Sequence, residues 1–152
     1  MFEIGCDRES CEMAGVKPRT WEVFEARWRE IFGDPAVTTR IIEVGVPGPG
    51  GGVLAGTAEF AGSISVFQAP GETKNSIGYW ISRSHWGQGV ASRAVALLLL
   101  EETRRPLHAT AATRNVASFR VLMKNGFRLV RTCMGEETER YLAREIGEFL
   151  LE

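Results

Sequence analysis

At 152 residues, with 44% apolar and 24% charged side chains, the chain has the size and composition of one globular domain with a sizeable core. A net charge of −1 provides no basic field and disfavours wholesale binding to nucleic acid. No apolar stretch reaches the roughly 18 residues of a membrane span, and the acidic opening segment does not read as a secretory signal.

Residues 1–20 lack clear periodicity and read as a poorly defined leader to a single domain over 1–152. The three cysteines, Cys6, Cys11 and Cys133, form no metal-like pairing pattern. They fit free thiols in a reducing cytoplasm, with no metal site. Thr20 is placed to cap a helix over 21–32, ended by Gly33, Asp34 and Pro35. Trp21, Phe24, Trp28, Ile31 and Phe32 recur at helical spacing, so one face is expected to pack on a sheet as core.

A strand is expected over 37–46. The glycine- and proline-rich run 46–53 follows it; lacking a Gly-Lys-Ser/Thr ending and a following helix, it reads as a turn rather than a phosphate loop. Strands over 58–67 and 75–82 come next, the second with Ile77, Tyr79 and Ile81 on one face and Gly78 and Trp80 on the other. Residues 90 to about 104 read as a helix closed by basic Arg104 and Arg105, with Leu97, Leu98, Leu99 and Leu100 implying burial on more than one side. A strand over 107–112, a helix over 115–125 ended by Gly126, and strands over 127–134 and 145–151 complete a mixed α+β order.

The chemistry concentrates after the third strand. Gly87 and Gly89 allow a sharp turn into a helix whose first N–H groups and positive dipole end suit a pyrophosphate. A single G-x-G is weak evidence; the ordered series around it is stronger. Gly78, Tyr79, Trp80 and Ile81, then Trp86, Gly87, Gln88, Gly89, Val90 and Ala91, then Asn115 and Ser118, then Asn125, Gly126 and Phe127, resemble the signatures of the GNAT N-acetyltransferase superfamily, in particular its RimJ/RimL branch.

That resemblance implies a GNAT-like, mostly antiparallel central sheet flanked by helices, with central strands splayed apart. It implies acetyl-CoA as co-substrate. The coenzyme would lie against Tyr79, Trp80, Ile81, Trp86, Gly87, Gln88, Gly89, Val90, Ala91, Ser92, Asn115 and Ser118. The backbone N–H near Ile81 would stabilise the thioester oxyanion, and Ser118 would contact the thiol. Many superfamily members have a proton-donating tyrosine where this chain has Leu122, and relatives often have a carboxylate where it has Ser76. Glu59, Glu72, His85 and His108 are base candidates by chemistry, the first three reading better as surface residues and His108 as structural. Arg93, Arg114, Arg120 and Lys124 are candidates for the 3′-phosphate, and the acidic run Glu136, Glu137 and Glu139 for a cationic acceptor.

The function implied is transfer of an acetyl group to a primary amine, a protein N-terminus or a small metabolite, in a ternary complex. The rival is a non-catalytic module that binds or senses acyl-CoA. Members of the family usually carry an extra strand and helix before the region matching Trp21. Here the leader stands in that place, and a second subunit completing this side as a homodimer is a further reading.

Overall fold

The computed structural model describes residues 2–17, 19–47, 53–69 and 71–152. Three helices come first: α1 (Phe2–Gly5), α2 (Arg8–Ala14) and α3 (Trp21–Gly33). Strands β1 (Thr38–Pro47), β2 (Val53–Gln68) and β3 (Asn75–Ile81) lead to α4 (Val90–Glu101). Then follow β4 (Leu107–Ala112), α5 (Val116–Lys124), β5 (Arg128–Gly135) and β6 (Arg144–Leu151). They form one six-stranded sheet in the order β1-β2-β3-β4-β6-β5, antiparallel at every junction except β3–β4. The architecture has the mixed α+β character that the element order implies, in the mostly antiparallel sheet flanked by helices that the resemblance implies. The run 48–52 lies outside the described residues. No helix among the described residues is long and apolar enough to cross a membrane.

Alternation drives the core. Ile64 and Val66 of β2, Ile77 and Ile81 of β3, and Leu107 and Ala109 of β4 point to one face, where α4 and α5 cover them with Val95, Leu98 and Leu122. Phe149 of β6, 1% exposed, extends the same face, and Phe119 of α5 meets its ring edge-on at 4.8 Å. Such aromatic pairs contribute about 1 kcal/mol beyond the area they bury.

Three expectations are corrected. First, the aromatic stripe of α3 is not sheet-packed core: only Phe24 is buried, while Trp21 and Phe32 are 50% and 67% exposed. Its rings pack edge-on or tilted against one another and against α1 instead, from Phe2–Trp21 at 5.2 Å through Phe24–Trp28 to Trp28–Phe32 at 5.3 Å. Thr20 does stand at the N-cap, yet its side chain accepts no helix N–H. Second, α4 buries Leu98 and exposes Leu97 and Leu100, because a helix lying on a sheet turns consecutive residues through its whole circumference. Third, α4 stops at Glu101, short of the arginines. The leader also has more order than its sequence suggests: Asp7 accepts from the Ser10 N–H at the start of α2, and Cys11 is buried. No first strand forms there among the described residues; the leader meets the sheet side through the bridge Val16–Tyr141, with the Lys17–Glu137 ion pair and the Arg144–Gly15 hydrogen bond beside it.

Arg104 serves a tertiary role in place of capping. Its Nε and Nη2 donate to Glu102 at 2.9 and 2.6 Å, and its Nη1 and Nη2 reach the Ala36 carbonyl and Thr38 hydroxyl, both at 2.8 Å. This fork ties the end of α4 to the start of β1. The Arg104 hydrogen bond, opposed by burial, lowers the Glu102 carboxyl from 4.5 to about 2. A depressed carboxyl stabilises the fold above its unfolded value, and that stability is lost as pH falls from 4.5 towards 2. Glu102→Gln is expected to melt lower at neutral pH. Its melting temperature should also decline less than that of the wild type across this acid window. Thermal denaturation at stepped pH checks both, and parallel curves for the two proteins would refute the link.

Candidate active site

The site begins where the sheet comes apart. β3 and β4 are parallel and pair only at Asn75–Leu107 and Ser76–His108. Further along, the Ser82 N–H donates to the Ala61 carbonyl of β2 at 2.8 Å. Hydrogen bonding in an antiparallel ladder alternates sides, so the N–H groups of Ile81 and Tyr79 face away from β2, into the gap towards β4. The Ile81 carbonyl accepts the Trp86 indole N–H at 3.0 Å. That bond pins the exit of β3 to the following turn.

After the 3-10 turn Arg83–His85, Gly87 and Gly89 adopt φ of 74° and 73°, the left-handed region that side chains with a Cβ resist. A Cβ at Gly87 would meet nothing within 4 Å, so this backbone stands open to a ligand. Val90, 5% exposed, starts α4 and anchors it in the core. The Gln88 amide donates to the Ser84 carbonyl at 2.8 Å. Ser92 accepts from Asn125 through its carbonyl and hydroxyl at 3.3 and 3.4 Å, so the first turn of α4 is braced by the end of α5. An open αL–αL turn ahead of unpaired helix N–H groups fits a pyrophosphate, and the strand gap fits an amide-rich pantetheine arm.

Asn115 caps α5, its Oδ1 accepting the Ser118 N–H at 3.1 Å. The Tyr79 hydroxyl is 3.5 Å from the Ser118 carbonyl. Burial raises the Tyr79 pKa, with the Ser118 contact opposing, so the phenol stays protonated at neutral pH. Leu122 is 2% exposed and belongs to the core.

Tyr79, Trp80, Asn115 and Ser118 line a single cleft of about 190 Å³. Ile81 and the segment 86–92 lie outside its wall. Thr110 lines it, whereas His108 does not, nor do Glu59, Glu72 or His85. His85 is corrected from surface to buried at 7% exposure, with Nδ1 3.0 Å from the Ser84 hydroxyl and Nε2 3.9 Å from Glu59. Arg93, Arg114, Arg120 and Lys124 are exposed. Glu137 of the acidic run pairs with Lys17 at 2.6 Å. Among the described residues no His, Cys, Asp and Glu gather to hold a metal.

The sequence reading missed the opposite wall, formed by Arg27 and Trp28 of α3 and by Arg140, Tyr141 and Arg144 around the β5–β6 loop. Trp28 was expected in the core. The arginines resemble any solvated loop, and the Val16–Tyr141 bridge that seats the loop joins segments remote in sequence.

A sheet divided between two parallel strands, a glycine turn opening a helix, and a cleft beside the division define the acetyltransferase class of fold. The chain belongs to the acetyltransferase (GNAT) domain family, whose description matches residues 1–128. An acetyltransferase of the GNAT family from Bacillus anthracis superposes with a TM-score of 0.70 at 20% identity, over 99% of this chain and 86% of that one. The spermidine N-acetyltransferase from Vibrio cholerae, solved with CoA and spermine, gives 0.69 at 13% identity and the same coverage. At these identities the likeness concerns the fold. The RimL ribosomal L7/L12 alpha-N-protein acetyltransferase, solved with coenzyme A, matches at 26% identity and 0.51, over 61% of this chain and 55% of that one. A comparison with curated protein sequences finds no match.

Proposed function

We infer that the protein is an N-acetyltransferase that moves the acetyl group of acetyl-CoA to a primary amine by direct attack in a ternary complex. The observation that carries this reading is the gap beyond the short β3–β4 pairing, which the Tyr79 and Ile81 N–H groups face, with Tyr79, Asn115 and Ser118 lining one cleft. Coenzyme-bound structures among the similar folds support it, and the partial likeness to RimL supports placement near the RimJ/RimL branch.

When bound, acetyl-CoA supplies a thioester carbon that bonds to the amine nitrogen as the C–S bond breaks, the amine losing a proton and the thiolate gaining one. The chain's own residues bind and orient. The turn at Gly87, Gln88 and Gly89, with the N–H groups of Val90, Ala91 and Ser92, receives the pyrophosphate. Trp86 fixes that turn to β3. Tyr79 and Trp80 flank the pantetheine path, and the Ile81 N–H faces the developing oxyanion. Ser118, one turn beyond Asn115, offers its hydroxyl to the sulfur. A serine is a weak acid, so it hydrogen-bonds the thiolate rather than fully protonating it.

The test is thiol release from acetyl-CoA over a panel of amines and peptides. Ser118→Ala is expected to lower kcat at least about tenfold with coenzyme affinity nearly unchanged. Asn115→Ala is expected to cost about 1 kcal/mol of stability through the lost cap and to weaken coenzyme binding as well. A second reading is favoured by one feature: among the described residues no carboxylate lines the cleft to act as base. Tight coenzyme binding without release for any acceptor would establish that reading, an acyl-CoA-binding module.

A further inference from the structure

The far wall of the cleft gathers three arginines, two of them without a counter-charge among the described residues. The Arg144 Nη1 donates to the Gly15 and Leu142 carbonyls at 3.3 and 2.9 Å, while among the described residues its Nη2 makes no hydrogen bond and its enclosed Nε has no partner. Arg140 makes no side-chain hydrogen bond among the described residues, and its Nε is likewise enclosed and unsatisfied. Both guanidinium groups lie against one ring, Arg144 at 4.5 Å and Arg140 at 5.1 Å from the Tyr141 centroid. Neither takes part in any ion pair among the described residues. Arg27 lines the same cleft but is spent on Glu30 at 3.0 Å.

Close backbone packing holds Arg144 in place. A Cβ on Gly15 would fall 2.2 Å from the Arg144 Cδ, so the side chain is pressed onto bare backbone where it lines the cleft. Guanidinium N–H groups without acceptors are costly. The terminal groups of Arg140 and the Arg144 Nη2, without acceptors among the described residues, suit an oxyanion: the planar fork matches the two oxygens of a carboxylate or phosphoryl group. A polycation meets the opposite environment here, because among the described residues no carboxylate lines the cleft and the nearby acidic run stands outside it.

We propose that Arg140 and Arg144 form an anion subsite for the acceptor, so that the substrate is a small amine also bearing a carboxylate or phosphoryl group. This rests on the acetyltransferase reading and names its substrate class. The amine end would lie towards Ser118 and Tyr79, which share the cleft with both arginines.

The test uses short amines that differ in their far end: β-alanine, aminopropylphosphonate, β-alanine amide and diaminopropane. Each is titrated calorimetrically into the protein with CoA present, and each is assayed for acetylation. The anionic amines are expected to bind at least about tenfold more tightly than the amide and the diamine, and the carboxylate and phosphonate arms tell the two anions apart. Arg140→Gln, whose side chain makes no protein hydrogen bond, is expected to fold and to erase the preference; Arg140→Lys should restore part of it. Equal or tighter binding of the diamine, a preference untouched in Arg140→Gln, or no binding of any amine overturns the subsite. Acetylation of the diamine without anion preference leaves the acetyltransferase reading standing while removing the subsite. Anion-selective binding without acetylation of any amine does the reverse.

Discussion

Gly62→Ala is expected to lower the free energy of unfolding by about 3 kcal/mol, towards the upper end for overpacking a sheet interior. Gly62 pairs with Ile42 of β1 and Ile81 of β3. Ladder register shifts beside it between Ile42 and Glu43, which leaves Ala61 as the extra residue of a bulge. A Cβ on Gly62 would come 2.0 Å from the Trp80 carbonyl oxygen and 3.1 Å from the Ile81 Cα. Both neighbours are backbone, so no rotamer change relieves the clash; β3 must move instead. Moving β3 shifts the Ile81 N–H, so coenzyme affinity should fall along with stability. Gly71→Ala is the control: φ of 78° strains an alanine by about 1–2 kcal/mol, yet its Cβ would meet nothing within 4 Å. Urea unfolding of the two variants measures the difference. A Gly62→Ala midpoint no lower than that of Gly71→Ala would contradict the close approach of β2 and β3.

Local chemistry made much of this molecule readable. β4 occupies the expected residues 107–112, because a short apolar run between a proline and a polar turn allows little else. Asn115 and Gly126 bound α5 as a capping amide and a left-handed glycine should. Gly87 and Gly89 stood out because few roles other than positive φ call for glycine there. Periodicity was less informative for α3: it identified the apolar side but not what would cover that side. The rings covered one another, which no spacing rule distinguishes from packing on a sheet. The leucines of α4 misled in a related way, since consecutive apolar residues cannot all face one sheet.

Half of the candidate site was legible for the same reason. Tyr79, Trp80, Asn115 and Ser118 sit on elements with strong local signals, and the cleft unites them. Arg140 and Arg144 lie in or next to a polar loop, where an arginine is ordinarily solvated. What distinguishes them is long-range: the leader reaches Tyr141 through Val16, and Gly15 receives Arg144. A glycine in αL at the end of a seven-residue helix gives no hint of the arginine pressed against it.

Gly87→Asp is expected to weaken coenzyme A binding at least about a hundredfold while leaving the melting temperature within a few degrees of wild type. The two effects separate because of where Gly87 sits. At φ of 74° an aspartate is among the better-tolerated replacements, and its Cβ would enter open space. A carboxylate just before α4 is also favourable to the helix dipole, which further spares the fold. What it opposes is a second anion in the same place. Two unit charges about 4 Å apart repel by about 4 kcal/mol near a protein surface, more than the roughly 2.7 kcal/mol that a hundredfold loss requires. Gly87→Ala isolates the steric part and should cost about tenfold or less. Rising salt should narrow the gap between the two variants, since screening acts on charge and not on shape. Calorimetry with coenzyme A at two ionic strengths reads all of this. If Gly87→Asp binds within about threefold of Gly87→Ala at low salt, the pyrophosphate does not lie against this turn, and the divided strands must hold the coenzyme by its arm alone.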